Sequence, residues 1–593
     1  MDEINKFRPD FLNLLRERIV LFMSRINHSP KRLATTSFFN VTNIVWWIIV
    51  ILVGFTVIYP SLVLVVKSFV ANEEFSFANY YAIFTNPAIL KSMINSLIVV
   101  IPSTIISTII AVVLAWIVAR TNLPGKGIWQ TLLVIPYLIP PFIGAIAWTY
   151  LLGPVGFFNK WLMNLFNTTE PLIDIYSIGG MIFVMSIYGF AIPYIIILPT
   201  MKKINASIEE SARISGASTF RTLKDITIPI LAPAILGGML LLFMYQMAEF
   251  GAPAVLGAPD QINLMTTQIY YTILSSDMPN HLQVAAAQSM LLVLLGIIGL
   301  NIYSRFTKSS KYVVVSGKSG SAEVTKLGKY KWIVQVFLSL VVLVTFVAPM
   351  LAVLVTSISK VYGLPVSLSN LTLNNFLKLF ELSYIQRSLF NSFVLSVTAG
   401  AVVAFCGLII AYMTIRGKAL GSSLINSLVA IPYAVPGTIV ALAMIMTFSK
   451  PVPIVGWQLY GTFMILLIAY LARFMNLGVT TLSGAIGQID PALEEASRIS
   501  GASKARSFRD VMLPLLRPSL YSAFFLVLIP ALGEISLSAL LWSVGNETIG
   551  VSVFSTQMEG KVLLTAALAI LLLTFTILLN IIARVVSRGK VGI

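Results

Sequence analysis

The sequence predicts an all-α polytopic membrane protein of about twelve spans, arranged as two parallel six-helix repeats. Three observations carry this reading. The 593 residues are 57% hydrophobic and only 11% charged, with a mean hydropathy of +0.90. Apolar runs long enough to cross a ~30 Å hydrocarbon core recur along the whole length, without the lipid-out, polar-in alternation of a barrel strand. Motifs of the first half also return in the same order in the second.

The elements follow in order. Residues 1–43 are too polar for the apolar core of a signal peptide and read as a cytoplasmic arm. Phe11, Leu12, Leu14, Leu15, Ile19, Leu21 and Phe22, set among Arg16, Arg18 and Arg25, suit an amphipathic helix in the headgroup plane or a loosely ordered tail. Apolar runs near 44–67, 94–119, 128–152, 178–201, 231–255 and 283–304 build a first repeat over 44–306. A Ser/Gly/Lys-rich stretch, 307–331, joins it to a second repeat over 332–593. Its runs lie near 332–357, 391–415, 424–448, 459–481, 518–542 and 562–583.

Charge sets the orientation. Lys and Arg gather in the arm, in the 307–331 connection and in two polar islands near 205–229 and 490–514, whereas loops such as 68–90, 153–175 and 543–560 are balanced or slightly acidic. With an even number of spans, the positive-inside rule places both termini and both islands in the cytoplasm. The net charge of +17 is therefore a topology signal, scattered over many loops rather than gathered into a nucleic-acid surface.

The islands belong to a larger duplication. Glu209 to Ser218 (EESARISGAS) and Glu494 to Ser503 (EEASRISGAS) agree at eight of ten positions. Asn95-Ser96 and Ile135-Pro136-Tyr137 recur 296 residues later, as Asn391-Ser392 and Ile431-Pro432-Tyr433. Glu210, Gly216, Asp225, Pro229, Pro233 and Glu249 recur 285 residues later. The change of offset places extra residues between the third and fourth spans of the first half, with the outer loop Asn159 to Asp174 as their expected site.

Several chemistries are excluded. A single cysteine, Cys406, rules out an intrachain disulfide, and His28 and His281 are unrelated in position, so no zinc or iron cluster can be read. Gly317-Lys318-Ser319 imitates the end of a phosphate-binding loop, but position 312, where that loop needs its first glycine, is Tyr312. No cofactor is expected on this chain, and any ATPase must be supplied by a partner.

Glu210-Ser211-Ala212 with Gly216 and Pro229, and Glu495-Ala496-Ser497 with Gly501 and Pro514, resemble the EAA loop of permease subunits of binding-protein-dependent ABC importers. Ser211 and Ser497 each replace one alanine of the pattern, small for small. The resemblance implies a type I importer fold in each repeat. It also implies coupling helices carrying Glu209, Glu210, Ala212 and Gly216, and Glu494, Glu495, Ala496 and Gly501. Two ATPase subunits holding ATP and magnesium would dock there, a soluble or lipid-anchored binding protein would deliver cargo, and the setting would be a bacterial or archaeal inner membrane. The fused halves, with Ala248 to Gly257, Thr266 to Tyr270 and Glu534 to Trp542, are most similar to ferric-iron-type permeases, whose relatives include thiamine and organophosphate permeases. An ion-coupled carrier would also have parallel six-span halves, but would not need two matched coupling loops.

Glu249 and Glu534 are expected within otherwise apolar fifth spans, where a carboxylate costs roughly 2.5–3.5 kcal/mol and should face the interior or a water cavity. Two readings stand: the acids line the path, or they hold helix ends together. Tyr137 and Tyr433, beside the prolines of the third spans, are the other candidate wall, and there too a packing kink is an equal alternative.

Overall fold

The computed structural model describes residues 41–586 except 276, 308–324, 418 and 453–455. The expected N-terminal arm up to residue 40 and most of the expected 307–331 linker lie outside the described residues. Eleven described helices are long and apolar enough to cross a membrane, and a broken pair makes a twelfth. In the first half they are Ile44–Ser68, Pro87–Arg120, Pro141–Phe166, Ile178–Lys203, Phe220–Met247 and His281–Gly299. In the second half they are Gly328–Ser357, Ser383–Gly417, the pair Ser422–Ala434 and Gly437–Phe448, then Phe463–Gln488, Lys504–Leu532 and Val562–Val586.

The third and fifth spans differ from the sequence expectation, for local reasons. The expected continuous run 128–152 is a helix Lys126–Leu132, a tight turn Ile135–Leu138 and a helix Pro141–Leu152. Pro136, Pro140 and Pro141 supply no N–H to an intrahelical ladder, and Pro140 is extended at φ −54° and ψ 129°. The second half breaks at the equivalent place with a bend of 109°. The fifth spans end early, at Met247 and Leu532, and short helices Gly251–Gly257 and Ser538–Leu541 follow. Glu249 and Glu534 therefore sit in breaks after the fifth spans, not inside them.

The change of offset has a structural counterpart. Between Leu152 and Ile178 the first half carries 25 residues, including the helix Phe157–Phe166, whereas 14 separate Phe448 from Phe463. Buried Asn159 fastens this insertion, its Nδ2 donating to Leu152 O at 2.6 Å and to Ile173 O at 2.7 Å.

The halves exchange their first spans. Tyr59–Ser68 packs on Gly437–Phe448 of the other half, and Ala348–Ser357 packs on Pro141–Leu152. Phe448 meets the rings of Phe55 at 5.2 Å and Tyr59 at 6.5 Å. Within the second half, the second and fourth spans approach at Gly407 and Gly478, where an added Cβ on Gly407 would stand 2.8 Å from the Gly478 carbonyl carbon. Only small residues permit that approach.

The repeated Asn-Ser pairs are caps supplied from a neighbouring helix. Ser96 Oγ accepts from Met265 N and Ser392 Oγ from Ile549 N, both at 2.7 Å, at the first residues of helices Met265–Leu274 and Ile549–Met558. Asn95 Nδ2 donates to Asn263 O at 3.2 Å and Asn391 Nδ2 to Glu547 O at 3.0 Å. Each second span thus satisfies an orphan helix terminus on a distant stretch of its own half.

Candidate functional site

Two regions bring the sequence candidates together. The first is the pair of polar islands. Each opens with a short helix, Ala206–Ile214 or Pro491–Ile499, because a side-chain oxygen waits at its start and a glycine at its end. Asn205 Oδ1 accepts from Ser207 N at 3.1 Å, and Asp490 Oδ1 from Ala492 N at 2.9 Å. Gly216 at φ +85° and Gly501 at φ +89° then take the left-handed conformation that reverses the chain, with no atom within 4 Å of an added Cβ. A larger residue at either position is excluded by backbone strain, not by crowding.

On these helices Glu495 and Ala496 are exposed, and Glu210 and Ala212 are partly exposed. Ile214 and Ile499, each on the final turn, are 83% and 87% exposed. Each helix thus ends on an aliphatic side chain that the described fold leaves uncovered.

Glu209 and Glu494 point the other way. Glu209 is buried, with its Oε2 3.2 Å from Arg120 Nε, and its Oε1 accepts from Thr227 Oγ1 at 2.8 Å. Glu494 Oε1 lies 3.3 Å from Arg416 Nε, and its Oε2 accepts from Tyr412 Oη at 3.0 Å. Arg120 Nη2 also donates to Ile204 O at 3.2 Å, and Arg416 Nη2 to Ile489 O. The pairs are largely shielded from water, so deleting one partner would strand a charge at a cost of about 3–5 kcal/mol. Two of the eight residues assigned by resemblance to the ATPase contact are therefore turned into the membrane domain.

The second region is the seam between the halves at membrane depth. Tyr137, in the broken third span, lines a cavity with Tyr188, Tyr245, Gln246 and Glu249. Tyr245 interacts electrostatically with Glu249 and Tyr137 of its own half and with Tyr433 and Glu534 of the other. Glu249 interacts in turn with Glu534 and Arg473. Tyr137 and Tyr433 keep about half their surface exposed, at 50% and 44%. The four path candidates thus converge, and Tyr245 joins them.

The carboxylates also do what the assembly reading expected. Glu249 Oε1 accepts from Gly251 N at 3.0 Å, and Glu534 Oε1 from Leu537 N at 3.1 Å, capping the short helices after each break. One oxygen of each acid serves the backbone while the carboxylate shares the seam with its counterpart. The two readings are compatible.

Arg473, on the fourth span of the second half, was not singled out in the sequence. It donates to Pro432 O at 3.0 Å and to Val435 O, carbonyls left open by the break in the third span. Its counterpart at the 285 offset is Tyr188, so the two walls differ in charge at this level. Arg120 and Arg416 are not distinguished in the sequence, because arginines at the ends of spans look like ordinary topology signals. Their equal spacing of 296 residues was the available clue.

Against known proteins, the chain matches the model of the binding-protein-dependent transport system inner membrane component over residues 107–311 and again over 404–591. It is 28% identical over 497 residues to the ferric transport system permease protein FbpB of Actinobacillus pleuropneumoniae, covering 82% of this chain and 70% of that one. It is 29% identical to a putative ferric transport system permease protein of Haemophilus influenzae, covering 82% and 76%. Similarity to the sulfate transport system permease protein CysT of Escherichia coli is 24% over 181 residues, 30% of this chain and 63% of that one.

Proposed function

Because the chain belongs to the binding-protein-dependent transport inner membrane component family, and is thus the permease subunit of an ABC importer, we propose that its seam passes ferric iron. That family assignment removes the ion-coupled carrier from consideration. The observation that carries the iron reading is the convergence of Glu249, Glu534, Tyr137, Tyr433 and Tyr245 from both halves. Carboxylate and phenol oxygens are hard donors, suited to a small, highly charged cation. Similarity to ferric permeases over 82% of the chain supports the same cargo.

In this reading one ATPase subunit, holding ATP and magnesium, docks on each polar helix. Glu210, Glu495, Ile214 and Ile499 meet it, and both termini lie on that cytoplasmic side. ATP-driven closure of the two subunits draws the helices together and opens the seam outward to a loaded binding protein. Hydrolysis returns it to the inward-facing form. The cargo is moved and not chemically changed.

Arg473 alters the case against anions. The fifth spans contain no arginine able to offset two carboxylates before a phosphate ester, but the fourth span of the second half brings one to the seam. With both acids ionised, the three groups still sum to a single negative charge, which favours a cation. Thiamine and phosphate esters are the competitors. The test is reconstitution with the cognate binding protein and ATPase, comparing ATP-dependent uptake of ferric ion, thiamine and a sugar phosphate. Ferric uptake that falls at least tenfold in Glu249→Gln/Glu534→Gln, at constant assembled complex, is the expected result. Uptake of the phosphate ester alone would overturn the proposal.

A further inference from the structure

The two ion pairs beneath the polar helices occupy equivalent places, although the surrounding side chains have diverged. In the first half Arg120 holds Glu209 and Ile204 O, and the assisting hydroxyl is Thr227. In the second half Arg416 holds Glu494 and Ile489 O, and the assisting hydroxyl is Tyr412. The residue equivalent to Tyr412 is Trp116, and the one equivalent to Thr227 is Met512, so neither hydroxyl has a counterpart. What survives the divergence is an arginine at the end of the second span that grips both the carbonyl before the polar helix and the helix itself.

The need for such a grip is visible in the backbone. Each polar helix hangs between two soft joints. On one side Ile204 and Ile489 are extended, at ψ 132° and 127°, and on the other Gly216 and Gly501 are left-handed. A push applied to the helix alone would flex these joints and dissipate. The arginine bridges the first joint and ties it to a second span of 34 or 35 residues. That span carries the Asn-Ser cap toward its far end, so a displacement at the arginine has a continuous helical route to the cap, past Pro102 in the first half and through the turn Met413–Gly417 in the second. Neither Nε–H is aligned for a hydrogen bond to its carboxylate, so each pair is a charge contact that tolerates a small slide without breaking.

We propose that Arg120 and Arg416 are positioning residues that transmit the motion of the polar helices to the second spans, with Glu209 and Glu494 as their handles. This rests on the coupling-helix reading above but not on the identity of the cargo.

The test uses the full chain with its ATPase and binding protein in proteoliposomes, each value expressed per assembled complex. In Glu209→Gln/Glu494→Gln, which keeps side-chain shape, the ATPase subunit should co-purify as with the parent. Stimulation of ATP hydrolysis by the loaded binding protein should fall at least fivefold. Arg120→Lys/Arg416→Lys, which keeps charge but loses the fork that reaches the carbonyl, should fall less. Loss of the ATPase subunit in parallel with hydrolysis would make the glutamates docking contacts and overturn the proposal. Stimulation within twofold of the parent would overturn it equally. Ile214→Asp/Ile499→Asp separates the two readings: retention of the ATPase by that variant sinks the coupling-helix reading itself, whatever the glutamates do.

Discussion

The two halves of this molecule repeat one design and depart from it in a pattern. At one end both carry a polar helix, a left-handed glycine and an arginine–glutamate pair. At the other end both cap a helix with serine and asparagine from the second span. Between these ends the walls diverge. Where the first half has Tyr188, the second has Arg473, and where the first has Gln246, the second has Ala531. The polar helices and the caps have stayed alike, whereas at the seam matched pairs, Glu249 with Glu534 and Tyr137 with Tyr433, stand beside unlike ones.

The largest expected effect tests the conserved part. Ile214→Asp or Ile499→Asp alone places a charge where an apolar knob should enter a partner pocket. Either variant should cut uptake at least tenfold, and the pair should abolish ATPase co-purification, because truncating a buried interface anchor commonly costs ~2 kcal/mol or more. Glu210→Ala/Glu495→Ala should leave the complex assembled and impair coupling. A strong loss from one half with indifference in the other would show that the likeness of the two helices is not functional.

A smaller effect is expected where the walls diverge. Arg473→Tyr makes the second wall resemble the first, strips the seam of its cation and leaves Pro432 O and Val435 O without their donor. Unsatisfied buried acceptors cost about 1–3 kcal/mol each. Ferric uptake should fall several-fold at constant complex, and Arg473→Lys should be intermediate, since a point charge cannot reproduce the fork. Unchanged uptake in Arg473→Tyr would mean that the asymmetry of charge at the seam is incidental.

Much of this was legible in the sequence, and the failures share a cause. Composition gave the class, and the repeated Glu210, Gly216, Glu495 and Gly501 marked the two short polar helices and their reversals, because helix length and a left-handed glycine are local properties. The placement of Glu249 and Glu534 inside fifth spans failed, because an apolar run does not say where its helix stops. The breaks at Met247 and Leu532 are followed by the short helices Gly251–Gly257 and Ser538–Leu541. The inward turn of Glu209 and Glu494 was hidden for a related reason. Their partners, Arg120 and Arg416, lie dozens of residues upstream, and their grip on the chain exists only after the second and fourth spans have packed. The described end of the linker adds a contact of the same kind: Thr325 N donates to Arg120 O at 2.9 Å and Asn122 N to Thr325 O at 3.1 Å, a pairing that composition does not encode.

Gln246 sharpens the comparison within the hydrophobic interior. Its Oε1 accepts from Ser103 Oγ at 2.8 Å and Thr104 Oγ1 at 3.0 Å, while its Nε2 donates to Met185 O at 2.9 Å, joining three spans of the first half. Gln246→Leu should lower stability by about 1–2 kcal/mol, the scale of hydrogen bonds between membrane helices, read as a lower unfolding midpoint in detergent. The reverse change, Ala531→Gln, buries an amide with no prepared partners and should not stabilise the second half. A gain there would show that the network is portable and that the divergence has no packing basis.

The smallest effect lies at the outer caps, where the halves match in geometry and differ in charge. The second half presents Glu547 where the first presents Asn263. Burial opposes its ionisation, but hydrogen bonds from the N–H groups of Gly545 and of Glu547 itself, with Arg387 at 3.3 Å, hold its carboxyl below the usual carboxylate value of 4.5. A carboxyl whose pKa is lower folded than unfolded stabilises the structure above its unfolded pKa, and that stabilisation is lost as pH falls through the folded value. Acidification below about pH 4.5 should therefore loosen the helix Ile549–Met558 and leave Met265–Leu274 comparatively protected, which amide hydrogen exchange can follow for both helices in one sample. Glu547→Gln should remove the difference while changing stability little at neutral pH, since the pair with Arg387 is half open to water. Equal loosening of both helices in the parent protein would place the acid sensitivity elsewhere.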